Sequence, residues 1–243
     1  MKHMVSRLAA LVLAAMLSGG HIAAAGSGTW QVVLAAGDDH QPVFDDATLA
    51  LAERLHAAGI PAKNIHRLSA SAAELGRGVE PATAENLLRR IAGLPAQPRD
   101  RCFIFLTSHG EYNAGVWLAR SQRALHPEEL AQALSRGCAA VPTVVVVSSC
   151  YSGGFATGAM VKPNRIILTA SRRDRPSFGC QVERTYSFFD GCFLRALPAG
   201  DDWKAVFRGT ARCVAHEENE LDEPPSDPQA YFGAAVTTLP AQF

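Results

Sequence analysis

The sequence has no surplus of charge of either sign: 23 Lys and Arg balance 23 Asp and Glu, and no basic run stands out. Nucleic acid and anionic membrane surfaces are held through clustered cations, so neither is expected as a partner. Metal-ligand spacing is missing too, because the eight histidines and six cysteines never fall at the intervals of a zinc site. No phosphate-binding glycine loop follows the first apolar run, which argues against a nucleotide enzyme, and no G-x-S-x-G elbow offers a serine nucleophile. No internal repeat or low-complexity tract is present. No competing cofactor site is evident.

The chain also lacks an apolar run long enough for a comfortable membrane span. Its N-terminus is nonetheless distinct. Lys2, His3 and Arg7 precede an apolar stretch from Leu8 to Leu17, then Ser18-Gly19-Gly20 and Ala23-Ala24-Ala25. A basic start, a short apolar core and small closing residues describe a secretory signal peptide. Cleavage is expected near Ala25, so residues 1–25 are set apart as a signal peptide and 26–243 as one folded domain, exported to the periplasm or secreted. No cysteine opens that domain to take a lipid anchor, and no stable membrane insertion is expected after cleavage.

What remains has room for one sizeable α/β domain, and 48% apolar with 19% charged residues is ordinary globular composition. At its centre lies Thr143-Val144-Val145-Val146-Val147-Ser148-Ser149-Cys150-Tyr151-Ser152-Gly153-Gly154. Four consecutive valines need cover on both faces, as in a central parallel strand. Ligands bind outside the carboxyl ends of such strands, which is where Cys150 falls. A buried, inert thiol at a strand end explains the stretch equally well.

Other apolar runs supply the rest of a sheet. Trp30 to Ala36 ends in Gly37-Asp38-Asp39, Asn64 to Leu68 is a second strand, and Arg165 to Thr169 is a buried strand with a polar exit. Helices are expected from Asp45 to Ala58, from Pro81 to about Ile91, from Pro127 to Gly137, from Tyr186 to Leu197 and from Trp203 to about Glu217. Ser69 to Glu80 reads as a loop, Val116 to Leu125 as a small hairpin, and Ala234 to Thr238 as a last strand. Strands alternating with helices imply a three-layer α/β/α sandwich on a mostly parallel sheet.

Arg101 to Thr107 is a near-continuous apolar strand that runs on into Ser108-His109-Gly110. Placed beside the valine strand, it would deliver an imidazole about 5 Å from the strand that carries Cys150. A neighbouring imidazole can draw the proton from a thiol or return one to a leaving amine. Tight-turn amides at the same edge, those of Gly110 and Cys150, can hold an oxyanion. His40, after the first strand, is the rival base. A lone strand-end histidine bonded to a loop is the plainer alternative for His109.

In an exported chain the cysteines can pair. Cys102 and Cys138 both precede central strands at one end of the sheet and are the best candidate pair. Cys192 and Cys213, on consecutive helical stretches, could form a second. If Cys150 stays reduced, at least one more cysteine must be unpaired.

Thr107-Ser108-His109-Gly110 and Ser148-Ser149-Cys150-Tyr151-Ser152-Gly153-Gly154, each after an apolar strand, resemble the legumain-type cysteine peptidases, the C13 family, and in particular its bacterial branch. Ala36-Gly37-Asp38, Pro42 to Asp46, Leu168 to Ser171, Asp174 to Cys180, Thr185-Tyr186 and Phe188-Phe189 extend the likeness over roughly residues 30–235. The resemblance implies a caspase-like fold, a dyad of His109 and Cys150, an oxyanion hole of the Gly110 and Cys150 amides, and peptide or protein substrates cleaved through an acyl-enzyme. A transamidase or peptide ligase on the same dyad is the alternative within the chemistry, and a silent binding domain the alternative outside it.

Two positions depart from the family. Legumains read asparagine with an arginine after the first strand and an acidic residue after the cysteine, whereas this chain has Phe44 or Asp45 and Tyr151. Asp38 and Asp174 at strand exits, with Tyr151 and Ser171, are the candidate substrate-binding residues. Asp174 can equally pair with a neighbouring arginine. The acidic segment from Glu217 to Asp227 reads as a solvated loop, with processing as the alternative.

Overall fold

A computed structural model describes residues 28–181 and 183–243. The expected signal peptide lies outside the described residues. The first half of the chain runs β1 (Trp30–Ala36), α1 (Val43–Ala57), β2 (Ile65–Ser69), α2 (Ala72–Leu75), β3 (Glu80–Pro81), α3 (Ala84–Ala92), β4 (Arg101–Thr107), β5 (Gly110–Glu111), β6 (Gly115–Leu118) and β7 (Arg123–Leu125). The second half runs α4 (Pro127–Gly137), β8 (Thr143–Ser148), β9 (Arg165–Thr169), α5 (Phe188–Ala196), α6 (Trp203–Glu220) and β10 (Gln229–Phe232).

Seven strands form one sheet in the order β10-β9-β8-β4-β1-β2-β3, parallel throughout except for β10 against β9. The four central strands β1, β4, β8 and β9 are buried almost end to end, as their unbroken apolar runs require. Side chains alternate between two cores. Ile104, Leu106, Val145 and Val147 pack toward α3, α4 and the small sheet of β5, β6 and β7. Phe103, Phe105, Val144 and Val146 pack toward α1, α5 and α6. The result is the expected α/β/α sandwich. Chain direction across the sheet reverses between β1 and β4, and the crevice at that reversal is where open α/β sheets take ligands.

Helix starts follow local chemistry. Thr83 caps α3 by accepting from the Asn86 N–H at 3.1 Å, Asp202 caps α6 from Ala205 at 2.7 Å, and Ser187 caps α5 from Asp190 at 3.1 Å. Pro127 opens α4, where a missing N–H is harmless.

Three details differ from expectation. Pro81 is not in a helix but in the two-residue edge strand β3, where its lack of an N–H is tolerated, and α3 waits for the Thr83 cap. The segment from Ser69 to Glu80 contains the one-turn α2. The last strand is Gln229–Phe232, half-buried and antiparallel, while Ala234 to Thr238 turns back with the Val236 N–H donating to the Gly233 carbonyl.

Two disulfides form, Cys102–Cys138 and Cys192–Cys213, and Cys150 and Cys180 are free. Both pairings match the sequence-based expectation. Among the described residues no helix is long and apolar enough to cross a membrane.

Candidate active site

β4 and β8 are direct neighbours, with Thr107 in register with Ser148. Each strand continues two residues to a reactive side chain, His109 from one and Cys150 from the other, both half-buried at the same edge of the sheet. The valines and phenylalanines that hold the strands together thus also hold imidazole and thiol side by side.

Gly110 has to be glycine. A Cβ there would lie 2.0 Å from the Cys150 carbonyl oxygen and 3.0 Å from its nitrogen, so the two backbones touch. Among the described residues the Cys150 N–H donates to no acceptor. The His109 ring packs edge-on against Phe44 of α1, at 5.3 Å between centroids and 82° between planes. That contact holds the ring against α1.

The thiol itself rests on Ser177. Cys150 Sγ lies 3.3 Å from the Ser177 N–H, 3.7 Å from its hydroxyl and 3.5 Å from its carbonyl oxygen. A thiolate can accept from the first two, and a thiol can donate to the third. The strap that carries Ser177 is tied down by the Tyr151 N–H, which donates to the Arg175 carbonyl at 2.9 Å, and by the Arg172 N–H donating to Ser226.

Tyr151 takes the left-handed conformation at φ 59°, unusual for a bulky residue and a sign of a sharply bent turn. Its ring meets Tyr112 edge-on at 5.5 Å. Together with Glu111, Asn113, His126, Glu128 and Arg173 it lines a cleft of about 220 Å³.

The other sequence-derived candidates sit differently. Asp38 is buried at the exit of β1 and accepts from both the backbone N–H and the ring Nδ1 of His40 at 2.8 Å, which raises the His40 pKa. His40 is therefore committed to Asp38 on the surface and is a poor rival base. Asp174 is exposed and held by the Arg172 guanidinium at 2.5 and 2.9 Å, which lowers its pKa. Ser171 needs correction as a substrate contact. It is fully buried, with its hydroxyl donating to the Ser149 carbonyl and accepting from the Ser152 N–H, so it braces the turn from inside.

Two groups carry large electrostatic shifts. Burial, with the negative charges of Asp190, Cys150 and Asp38, pushes the Cys180 thiol up to about 12, so it stays protonated and unreactive. Burial also raises Asp190 to about 6, opposed by hydroxyls of Ser148, Thr107 and Ser187. Neither Ser177 nor Asp190 stands out as a site residue in the sequence. The Ser187-to-Asp190 spacing marks a helix start, but burial of its carboxylate has no sequence signature. Asp38, Asp39 and His40 bring ligand atoms within 4.8 Å of one another, but Asp39 and His40 are exposed and the trio carries no metal assignment.

The fold is of the caspase-like α/β class. A crystal structure of caspase-1 from Spodoptera frugiperda superposes with a TM-score of 0.59 over 85% of this chain and 86% of that one, at 12% identity, a likeness of fold. The model of the Peptidase C13 family matches residues 87–207, the stretch that contains both His109 and Cys150, and the resemblance to C13 peptidases is thereby shown. No curated protein matches the chain in sequence.

Proposed function

We propose that the protein is an exported cysteine endopeptidase in which Cys150 is the nucleophile and His109 its acid–base partner. The observation that carries this reading is the register of β4 and β8, which brings an imidazole and a thiol to one sheet edge beside an unused backbone N–H. His109 takes the thiol proton as the Cys150 sulfur attacks a peptide carbonyl, and the tetrahedral oxyanion is held by the N–H groups of Cys150 and Gly110. His109 hands a proton to the departing amine, leaving an acyl-enzyme on Cys150. It then takes a proton from water as the water attacks the thioester, which frees the second peptide product and restores the thiol.

The cleft walled by Tyr151 receives the substrate, and the exposed Asp174 is its proposed outer contact; Asp38, buried and bonded to His40, is not. An arginine-for-asparagine recognition like that of legumains is not proposed, since the required residues are absent. Export is supported by the basic-then-apolar N-terminus and by two disulfides, which persist in oxidising compartments.

The test is covalent. Iodoacetamide should label Cys150 in the folded protein at neutral pH, labelling should slow at least tenfold in His109→Ala, and peptide cleavage should vanish in Cys150→Ala. Equal labelling rates with and without His109 would overturn the dyad.

A further inference from the structure

Directly beneath the strand ends lies a carboxylate with no ion-pair partner among the described residues. Asp190, in the first turn of α5, is fully buried. Its Oδ2 accepts from the Thr107 hydroxyl at 2.7 Å. Its Oδ1 makes no hydrogen bond of ordinary geometry. Thr107 and Ser148 are register partners, each two residues before a member of the dyad. The carboxylate therefore holds β4 at the point where it leaves the sheet, next to its neighbour β8.

We propose that Asp190 is a positioning residue of the active site: its carboxylate anchors the end of β4 through Thr107 and so sets the place of His109 beside Cys150. This rests on the dyad reading above. An acceptor-only group suits the task, because it fixes the Thr107 hydroxyl as a donor. An asparagine offers one acceptor oxygen and one NH2 donor, and with the NH2 toward Thr107 that hydroxyl would have to turn. A buried charge with an unsatisfied oxygen is costly to keep, and such groups cluster at functional sites rather than in structural cores.

The experiment compares Asp190→Asn, Thr107→Val and Thr107→Ser with the unaltered enzyme, using a fluorogenic peptide selected from a cleavage library. Asp190→Asn should lower kcat about tenfold or more, the scale expected when reacting groups are slightly misplaced, with KM within about twofold. Its Tm at pH 8 should not fall, because a buried charge has been removed. Thr107→Val should show the same kcat loss, and Thr107→Ser, which keeps the hydroxyl, should restore it. The proposal is overturned if kcat stays within about twofold in Asp190→Asn and Thr107→Val. A parallel fall of Tm and kcat in Asp190→Asn without serine rescue at position 107 would also overturn it, by reducing Asp190 to a structural residue. If Asp190→Asn does not fold, the Val and Ser variants decide alone. Failure of the dyad shows separately, as Cys150 labelling that ignores His109→Ala in an otherwise unaltered chain.

Discussion

Gly110 and Cys150 meet backbone to backbone, at a distance where even a methyl group would overlap the cysteine carbonyl. The contact joins the strand end that supplies the imidazole to the turn that supplies the thiol. Because it involves backbone, no rotamer change can relieve an added side chain. Gly110→Ala should therefore reduce peptide cleavage by about a hundredfold or more through displacement of the oxyanion donors. It should also destabilise the fold by roughly 1–3 kcal/mol, as overpacking does. Steady-state kinetics and thermal unfolding on the same preparation check both.

Cys180 should be silent in the native state. Its thiol is held near 12 by burial and three negative neighbours, so the thiolate fraction at neutral pH is negligible. Mass spectrometry of native Cys150→Ala treated with iodoacetamide at pH 7 should find no label. The same protein in denaturant, with its disulfides intact, should take one. Rapid labelling of native Cys180 would contradict the environment described for it.

Asp190 predicts a pH dependence of stability. Its carboxyl titrates near 6 in the fold against an ordinary 3.8. Between those values the folded chain holds a proton that the unfolded chain has lost. Stability from this group is therefore full below about 4, falls as pH rises through about 6, and is flat above. A gap of that size between the folded and unfolded chain is worth roughly 3 kcal/mol at most. The stability difference between Asp190→Asn and the unaltered protein should move in the variant's favour from pH 4 to pH 8. Denaturant melts at several pH values would show it, and a constant difference would contradict it.

The disulfides should contribute unequally. Cys102–Cys138 spans 36 residues and Cys192–Cys213 spans 21. Loop-closure entropy assigns them about 4 and about 3 kcal/mol respectively. Double-serine variants of each pair should lower the free energy of unfolding in that order. Cys102 lies at the start of the strand that ends near His109, so loss of the first bridge should also cost activity.

The central strands were legible from their unbroken apolar runs, Cys102–Cys138 from cysteines that precede two of those strands at one sheet end, and Cys192–Cys213 from their places on consecutive helices. β10 was not, because Gln229–Phe232 is a half-buried edge whose pattern is weaker than the apolar run from Ala234 that follows it. His109, Gly110 and Cys150 were legible from their places after two such strands. Ser171 misled because a polar residue at a strand exit usually faces solvent, whereas here it satisfies the backbone of a buried turn. Ser177 and Asp190 stayed hidden because their significance lies in what reaches them from far along the chain, Cys150 for one and Thr107 for the other.

The order of the cysteines bears on how the chain is made. Emerging from the N-terminus, Cys102 and Cys138 appear before Cys150, so the first bridge can close before the proposed nucleophile is available to compete. Cys192 and Cys213 emerge with Cys150 and Cys180 already present. A mixed disulfide to Cys150 would be at once a folding trap and an inactive enzyme. That hazard falls on the bridge between α5 and α6, and α5 is the helix that carries the carboxylate beneath the two strand ends.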